Sequence, residues 1–453
     1  MLPVLTIVGR PNVGKSTLFN RLTRTRDAIV GDVAGITRDR QYGEGQFENH
    51  AFIVVDTGGI AEIDDPEMGA MTEQQVDAAI NEADVILFVV DAKTGVANAD
   101  HVIAKKLRQV KDKRIVLVAN KADHEVLEMT GTEFYSLGFK ELFTISASTG
   151  RHVVSMLTDI LSAFPEEVVE KEDSKRTRIA VLGRPNVGKS TLINRIFGEE
   201  RVIVFDRPGT TRDSIEIPYE RNGKSYTLVD TAGVRRRKNM TEGVEIFSVI
   251  KAMQAMRQAH VVVMVVDARD GLTEQDMRLL GLIIETGNAL VLAFNKWDGM
   301  SEDDRAYLKN EIDRKLPFAK FARRYFISAK HGTGVGQLYD AIDETEAALS
   351  QAFTTHELTE ILMAATETHQ PPLAKGRRVK LRYAHVGSTK PLSFVIHGKQ
   401  VDKLPGSYKQ YLVHFFRDKL KLVGIPLILK FLGDNNPFVD APIKNSTEER
   451  DAR

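Results

Sequence analysis

The octapeptide Gly-Arg-Pro-Asn-Val-Gly-Lys-Ser occurs twice in this chain, at residues 9–16 and again at 183–190. Both copies fit the phosphate-binding pattern G-x-x-x-x-G-K-[ST], in which successive backbone N–H groups surround a phosphate chain. The lysine adds positive charge beside the β and γ oxygens, and the serine hydroxyl can complete a Mg²⁺ shell. In both copies an apolar run precedes the loop, as expected for a strand–loop–helix unit. The repeat therefore predicts two sites for a nucleoside phosphate.

Three further motifs recur after each loop. D-x-x-G occupies 56–59 and 230–233, N-K-x-D occupies 120–123 and 295–298, and Ser-Ala follows at 146 and 328, so the copies lie 174 to 182 residues apart. Each motif follows a short apolar run with the length and β-branched content of a buried parallel strand. We therefore predict two doubly wound, mostly parallel α/β domains, with ligands beyond the carboxyl ends of their strands.

The predicted organisation has five parts along the chain. They are a first nucleotide-binding α/β domain (1–164), a charged linker (165–177), a second nucleotide-binding α/β domain (178–350), a basic α+β domain (351–440) and a disordered tail (441–453). Net charge is zero overall, but residues 371–444 carry ten Lys and four Arg against four Asp. This asymmetry favours a polyanionic partner for the C-terminal part.

Composition limits the remaining classes of protein. The chain has no cysteine, which excludes disulfides and thiolate metal sites and suits a reducing compartment. The N-terminal sequence lacks a signal-peptide pattern, and the apolar runs are too short to span a bilayer. We expect a cytoplasmic, soluble protein with no membrane partner.

The N-K-x-D motif predicts which base is bound. A carboxylate at Asp123 or Asp298 can accept hydrogen bonds from the N1–H and 2-amino groups of guanine, a pair of donors that adenine lacks. The backbone N–H of the Ser-Ala pair would reach the guanine O6. The predicted ligands are therefore GTP and GDP.

The magnesium ligands are predicted from the same repeat. Ser16 with Asp56, and Ser190 with Asp230, would hold Mg²⁺ or its bound water. Thr37 and Thr211 each stand in a Thr-Arg-Asp triplet and are candidates for a further ligand. An isolated loop threonine is usually only a turn former, but repetition at the same spacing favours a ligand role.

The two repeats together define the predicted contacts of GTP. In the first repeat these are Gly9, Arg10, Pro11, Asn12, Val13, Gly14, Lys15, Ser16, Thr17, Asp56, Thr57, Gly58, Gly59, Ile60, Asn120, Lys121, Asp123, Ser146 and Ala147. In the second they are Gly183, Arg184, Pro185, Asn186, Val187, Gly188, Lys189, Ser190, Thr191, Asp230, Thr231, Ala232, Gly233, Val234, Asn295, Lys296, Asp298, Ser328 and Ala329.

A glutamine that orients the attacking water follows D-x-x-G in many switch GTPases. In this chain Ile60 and Val234 occupy that place, and an apolar side chain cannot polarise water. The sequence therefore predicts slow intrinsic hydrolysis, helped by backbone groups, a bound cation or a partner.

The tandem GRPNVGKS loops, DTGG/DTAG, NKAD/NKWD and the basic C-terminal part resemble the EngA (Der) family, bacterial tandem GTPases of ribosome assembly. The resemblance spans residues 2 to about 442. It implies a KH-like fold after about residue 352 and a role in maturing the large ribosomal subunit. It also implies that Asn12 and Asn186 hold K⁺ beside the phosphates. The chain departs from typical KH domains in having no G-x-x-G loop after residue 352.

The C-terminal part contains a basic alternating run. Arg377, Arg378, Lys380 and Arg382 are candidate RNA contacts. In one strand, Arg378, Lys380 and Arg382 are predicted on one face and Val379, Leu381 and Tyr383 on the other. Salt bridges to the acidic G domains are the alternative role for this run. The histidines His385, His397 and His414 are interpreted as packing or surface residues rather than metal ligands.

Two functions remain open on the sequence. The first is a GTP-hydrolysing switch that acts as a monomer on the large ribosomal subunit and its RNA, with Mg²⁺ and K⁺ as cofactors. The second is a signalling adaptor that binds proteins and carries a structural C-terminal module. Salt-dependent association with ribosomal RNA would favour the first.

Overall fold

The computed structural model describes residues 2–23, 41–58, 77, 79–123, 130–166, 176–198, 202–204, 216–229, 249–374 and 377–433. Several predicted residues lie outside these ranges: Thr37, Gly59, Ile60, Thr211, Asp230, Thr231, Ala232, Gly233 and Val234, with most of the linker and the whole tail. The chain divides into two compact units. The first spans 1–178, 200–258 and 277–281, and the second spans 179–199, 259–276 and 282–453.

Strands and helices alternate along most of the chain. Up to residue 166 they are β1 (Val4–Val8), α1 (Lys15–Thr23), β2 (Gln41–Phe47), β3 (His50–Asp56), β4 (Val85–Asp91), α2 (Asn98–Leu107), β5 (Arg114–Asn120), β6 (Leu142–Thr144) and α3 (Val153–Leu161). Up to residue 349 they are β7 (Thr177–Leu182), α4 (Lys189–Phe197), β8 (Val202–Val204), β9 (Ile217–Arg221), β10 (Lys224–Val229), α5 (Val249–Gln258), β11 (Val261–Asp267), α6 (Glu274–Glu285), β12 (Ala289–Asn295), α7 (Glu302–Lys315), β13 (Arg323–Phe326) and α8 (Val335–Leu349). The rest are α9 (Thr355–Thr368), β14 (Leu373–Ala374), β15 (Arg377–Arg378), β16 (Lys380–Thr389), β17 (Leu392–Lys399), α10 (Gly406–Leu420) and β18 (Ile428–Gly433).

The first unit contains a sheet with strand order β2-β3-β1-β4-β5-β6. All neighbouring pairs are parallel except the antiparallel pair β2–β3. Strands β8, β9 and β10 pair antiparallel with one another in the other large sheet, whose order is β13-β12-β11-β7-β10-β9-β8. The order places β1 and β4 at the centre, so the loop after β1 lies in the middle of the row formed by the carboxyl ends of the strands.

Helices cover both faces of the first sheet. Along β4, Leu87 and Val89 face one core, shared with α1 and α3. Ile86 and Phe88 face the other, shared with α2. Burial on both faces explains why this strand reads as a continuous apolar run rather than an alternating one. The doubly wound α/β class predicted from such runs is confirmed.

The second unit repeats this arrangement. Strands β7, β11, β12 and β13 pair in parallel in that order. Helix α6 begins at a capping box: the Thr273 hydroxyl accepts from the backbone N–H of Asp276, whose carboxylate accepts from the Thr273 backbone N–H. Among the described residues no helix is long and apolar enough to cross a membrane.

The C-terminal module, residues 353–433, is the predicted α+β module. Its sheet has the order β16-β17-β18, with β16 antiparallel and β18 parallel to β17. Phe394 of β17 packs at 5.5 Å between ring centroids against both Phe353, just before α9, and Phe416 of α10. Helix α9 itself packs on β16, so α9 and α10 cover that face. Tyr408 of α10 donates to the carbonyl of His369 at 2.7 Å, which ties the two helices together.

The predicted single basic strand of this module is corrected by the structure. Arg377 and Arg378 form β15, which pairs with β14, whereas Lys380 begins β16. A register shift lies between Leu381 and Tyr383. Leu381 therefore stays buried while Tyr383 turns to the opposite face and is 41% exposed. The prediction that they share a face is wrong because a bulge interrupts the alternation.

Candidate nucleotide sites

Each phosphate loop joins a buried central strand to a helix. Gly14 has a left-handed φ of +97° and Gly188 one of +99°. A side chain at either position would also collide with the amide of Asn120 or Asn295. Glycine is thus required twice over at this turn, for its backbone angle and for the close approach of the asparagine.

The loop lysines are turned back over their own loops. Lys15 Nζ donates to the carbonyl of Arg10 at 2.8 Å, and Lys189 Nζ donates to those of Gly183 and Arg184 at 2.9 and 2.7 Å. Burial lowers the pKa of Lys15, and the nearby Asp56 carboxylate partly offsets this. An ammonium held in this way lies inside the loop, where phosphate oxygens can replace the carbonyls.

Two of the three predicted magnesium ligands of the first site, Ser16 and Asp56, lie together. Ser16 Oγ donates to Asp56 Oδ2 at 2.9 Å, and the Gly58 N–H donates to Oδ1 of the same carboxylate at 3.1 Å. Hydroxyl and carboxylate oxygens are the donor set that Mg²⁺ prefers, so these residues fit that ion. In the second site Ser190 is described, whereas its partner Asp230 is not.

The asparagine of N-K-x-D bridges the two halves of each site. Asn120 Nδ2 donates to the carbonyl of Val13 at 2.9 Å, and its Oδ1 accepts from the Ala147 N–H at 2.9 Å. Asn295 makes the same pair with Val187, at 2.8 Å, and Ala329, at 2.9 Å. This buried amide therefore fixes the phosphate loop against the Ser-Ala loop.

The carboxylates predicted to recognise the base are held ionised. Asp123 accepts from Lys93 Nζ at 2.6 Å and from Ser146 Oγ at 2.7 Å. These bonds, with Lys93 as the largest cause, lower the pKa of Asp123 to about 2. In the second site a hydrogen bond from Ser328 is the main cause that lowers the pKa of Asp298, and His331 acts in the same direction from 3.4 Å. Both side chains are therefore acceptors at neutral pH, as guanine recognition requires.

The lysine of N-K-x-D has a partner that sequence reasoning missed. Lys121 Nζ donates to Asp91 Oδ2 and to the Asn12 carbonyl, both at 2.6 Å. Burial tends to raise the pKa of Asp91, but hydrogen bonds from Lys121 and the Lys93 backbone outweigh it and leave that pKa below its usual value. Lys296 pairs with Asp267 in the same way. Both aspartates are the last residues of central strands, and this position could have identified them from the sequence.

The loop arginines, predicted as nucleotide contacts, have carboxylate partners away from the loop. Arg10 donates to Asp100 at 3.3 Å and to Thr94 at 2.6 Å. Arg184 donates to Asp276 at 2.9 Å and to Asp270 at 3.2 Å. Asp100 and Asp276 are fully buried near the starts of α2 and α6, so each arginine ties its phosphate loop to a helix N-terminus.

A second pair of arginines was not predicted. Arg21 on α1 donates to the carbonyls of Ala147 and Ser148. Arg195 on α4 donates to those of Ala329, at 3.2 Å, and Lys330. We call these pairs the arginine clamps. The signal was the Asn-Arg dipeptide that follows both loops at the same distance.

Asn12 and Asn186, the potassium candidates, occupy matching strained positions. Their φ angles are +64° and +63°, and both residues are exposed at the loop surface. Among the described residues, no three His, Cys, Asp or Glu side chains cluster as a metal site. The structure thus places these asparagines at the mouths of the loops, and their role as cation ligands stays a prediction.

Comparisons with known proteins agree with this geometry. A family described as "50S ribosome-binding GTPase" matches residues 4–121 and 178–296, and "KH-domain-like of EngA bacterial GTPase enzymes, C-terminal" matches residues 353–431. The chain is 53% identical to GTPase Der of Coxiella burnetii (strain Dugway 5J108-111) over 440 residues, covering 97% of this chain and 99% of the relative. It is 53% identical to GTPase Der of Hahella chejuensis (99% and 95% covered) and 52% identical to GTPase Der of Legionella pneumophila (strain Corby; 99% and 96%).

Proposed function

The chain belongs to the EngA (Der) family of bacterial GTPases, and from that premise we propose that it is a two-site GTP switch that acts in assembly of the large ribosomal subunit. The observation that carries the proposal is the duplicated site: Asn120 and Asn295 make the same two bonds to the same two loops. A phosphate loop fixed against a base-reading loop suits a nucleotide that contains both parts.

Guanine is the base that this arrangement favours. The ionised carboxylates of Asp123 and Asp298 would accept from N1–H and the 2-amino group, and the Ala147 and Ala329 amides would donate toward O6. An adenine would present a donor where O6 should accept and would leave the carboxylate without its pair of donors. The substrate class is therefore a guanosine triphosphate at each site.

Mg²⁺ would be held by Ser16 and Asp56 in the first site and by Ser190 and Asp230 in the second. When bound, the ion neutralises charge on the β and γ phosphates. Thr37 and Thr211 are proposed as its further ligands in the triphosphate state. The lysine ammonium, Lys15 or Lys189, would bind the same oxygens from the other side and stabilise the charge that develops during transfer.

Hydrolysis would be slow without help. Ile60 and Val234 stand where a water-orienting glutamine would be needed, so the chain itself offers no side chain there to orient the attacking water. We propose that K⁺, held at Asn12 and Asn186, supplies part of the missing positive charge. The exposed position of both asparagines at the loop mouths supports this role.

The C-terminal module would connect the switch to ribosomal RNA. Residues 371–444 carry a surplus of basic over acidic residues, ten Lys and four Arg against four Asp. Lys380 and Arg382 are exposed on β16. We propose that a cytoplasmic monomer with domains at 1–164, 178–350 and 351–440 rearranges with nucleotide state and so changes how this module meets RNA.

The test is GTP turnover at fixed ionic strength in K⁺ and then in Na⁺, with wild type, Asn12→Ala and Asn186→Ala. The proposal predicts faster turnover in K⁺, with each substitution removing part of the gain and leaving GDP affinity within about twofold. Equal turnover in the two salts would refute the potassium role. In that case, turnover with added large ribosomal subunits tests whether a partner provides the stimulus.

A further inference from the structure

The C-terminal sheet has one face that its helices do not cover. Phe394 of β17 points to α9 and α10, so its neighbours Val395 and His397 point to the other face. Tyr383 pairs directly with His397, and His385 pairs with Val395, which places both on that face as well. We call this the outer face of the module.

Three rings are stacked on the outer face. The rings of Tyr383 and His397 are 4.4 Å apart between centroids and tilted by only 9°, and His385 lies 5.2 Å from His397 at 26°. We call these residues the ring stack. Tyr383 is the most exposed large aromatic of the module's described residues, at 41%, so the stack opens to solvent at its tyrosine end.

The two imidazoles satisfy each other without a metal. His385 Nδ1 lies 2.9 Å from the carbonyl of Val386 and must donate to it, so in the neutral ring Nε2 is an acceptor. His397 Nε2, 3.1 Å away, then donates to that atom. This network, assigned from the partners, occupies the Nε2 lone pair of His385. The stack is thus a platform of three rings that hydrogen bonds hold in place.

Two lysines lie beside the ring stack on the same face. Lys380 and Lys399 are directly opposite each other across β16 and β17, and both are exposed. Two positive charges placed directly opposite each other across a strand pair repel and destabilise the pair. Within the described residues neither ammonium has a carboxylate partner. An anion that bound between them would remove this repulsion.

We propose that the outer face is a binding site for single-stranded RNA, in which a base stacks on Tyr383 and adjacent phosphates bind Lys380 and Lys399. The proposal rests on the ribosomal role proposed above and names its contact surface. Aromatic platforms flanked by cations recognise single strands in this way, because every base offers a π-face. The sheet would thereby replace the G-x-x-G clamp that the module lacks.

The experiment measures binding of the full chain to fluorescein-labelled decauridine and decaadenosine by fluorescence anisotropy across a range of salt. Tyr383→Ala is expected to weaken binding about tenfold or more, whereas Tyr383→Phe, which keeps the ring, should bind like wild type. Lys380→Ala and Lys399→Ala should each reduce the slope of log affinity against log salt by about 0.7. A ten-base-pair RNA duplex, whose bases are already stacked, should not respond to Tyr383→Ala.

A crosslink separates loss of stacking from loss of fold. Decauridine with 5-iodouridine is irradiated with wild-type chain, and the proposal requires crosslinks on Tyr383 or His397. Crosslinks confined to other parts of the chain would overturn it. So would unchanged binding by Tyr383→Ala, while co-sedimentation with large subunits would still support the ribosomal role. Subunit binding through ribosomal proteins alone, with no oligonucleotide bound, would overturn the RNA site and indicate a protein partner instead. Failure to bind both RNA and subunits would overturn the ribosomal role as well.

Discussion

Removing an arginine clamp should weaken guanine nucleotide binding at its own site alone. Arg21 makes two hydrogen bonds to the carbonyls that follow the base-reading serine, and Arg195 makes the equivalent pair. Charge-assisted bonds contribute about 1.5–3 kcal/mol when buried, but these guanidiniums are partly exposed, so about 1 kcal/mol each is appropriate. Loss of both bonds costs about 2 kcal/mol, which corresponds to about 30-fold in affinity.

The assay is titration of a fluorescent GDP analogue into Arg21→Ala in a Lys189→Ala background, where only the first site binds. The mirror variant, Arg195→Ala with Lys15→Ala, is the matched control for the second site. Arg21→Lys, which can keep one bond, should lose about fivefold. Discrimination of GDP from ADP should fall with affinity, because the loosened loop carries the amide that meets O6.

Unchanged GDP affinity in Arg21→Ala would refute the clamp as a positioning residue. A loss of GDP and ADP affinity by the same factor would also contradict it, since that outcome indicates damage to the phosphate loop rather than to the base-reading loop.

Three further predictions concern other contacts. Asp123→Asn should exchange guanine for xanthine at the first site, because an amide can donate to the xanthine O2; nucleotide competition checks this, with Asp298→Asn as its counterpart. Gly188→Ala should abolish nucleotide binding at the second site only, since the added carbon meets Asn295 and the left-handed turn is strained; retained binding there in equilibrium dialysis would contradict it. Burial raises the pKa of Tyr408 to about 12. The folded pKa exceeds the unfolded value near 10, so the stabilisation from the protonated phenol is fully present below pH 10 and is lost as pH rises to 12. Tyr408→Phe should therefore flatten the fall in the free energy of unfolding over that pH range.

The sequence predicted where motifs and secondary-structure elements lie along the chain better than it predicted which distant side chains contact each other. The loops, the strand-end motifs and the doubly wound class follow from local patterns, and the structure agrees with their placement over the residues that it describes. The contact between Arg10 and Asp100 joins residues 90 apart in sequence. No pattern within a short window contains it. The same limit applies to Asn120, whose assignment to the nucleotide gave no hint that it bridges two loops.

The repeat carries information beyond its recognised motifs. Arg21 and Arg195 stand at the same distance from their phosphate loops and make the same bonds, so comparing the two halves position by position would have found the clamps. Tyr383 shows the opposite limit. One extra residue in β16 turned its ring to the other face, and a bulge of this kind leaves no trace in an alternating pattern.

The asparagine bridges have a consequence for fragments of the ligand. Because Asn120 and Asn295 hold the two loops of each site at a fixed separation, the proposed pockets for base and phosphates are aligned before any ligand arrives. GDP then loses its translational freedom once while filling both, whereas guanosine and pyrophosphate added together must each lose it separately. The two halves of the nucleotide should therefore be poor inhibitors, alone or mixed, at concentrations where the intact molecule saturates both sites.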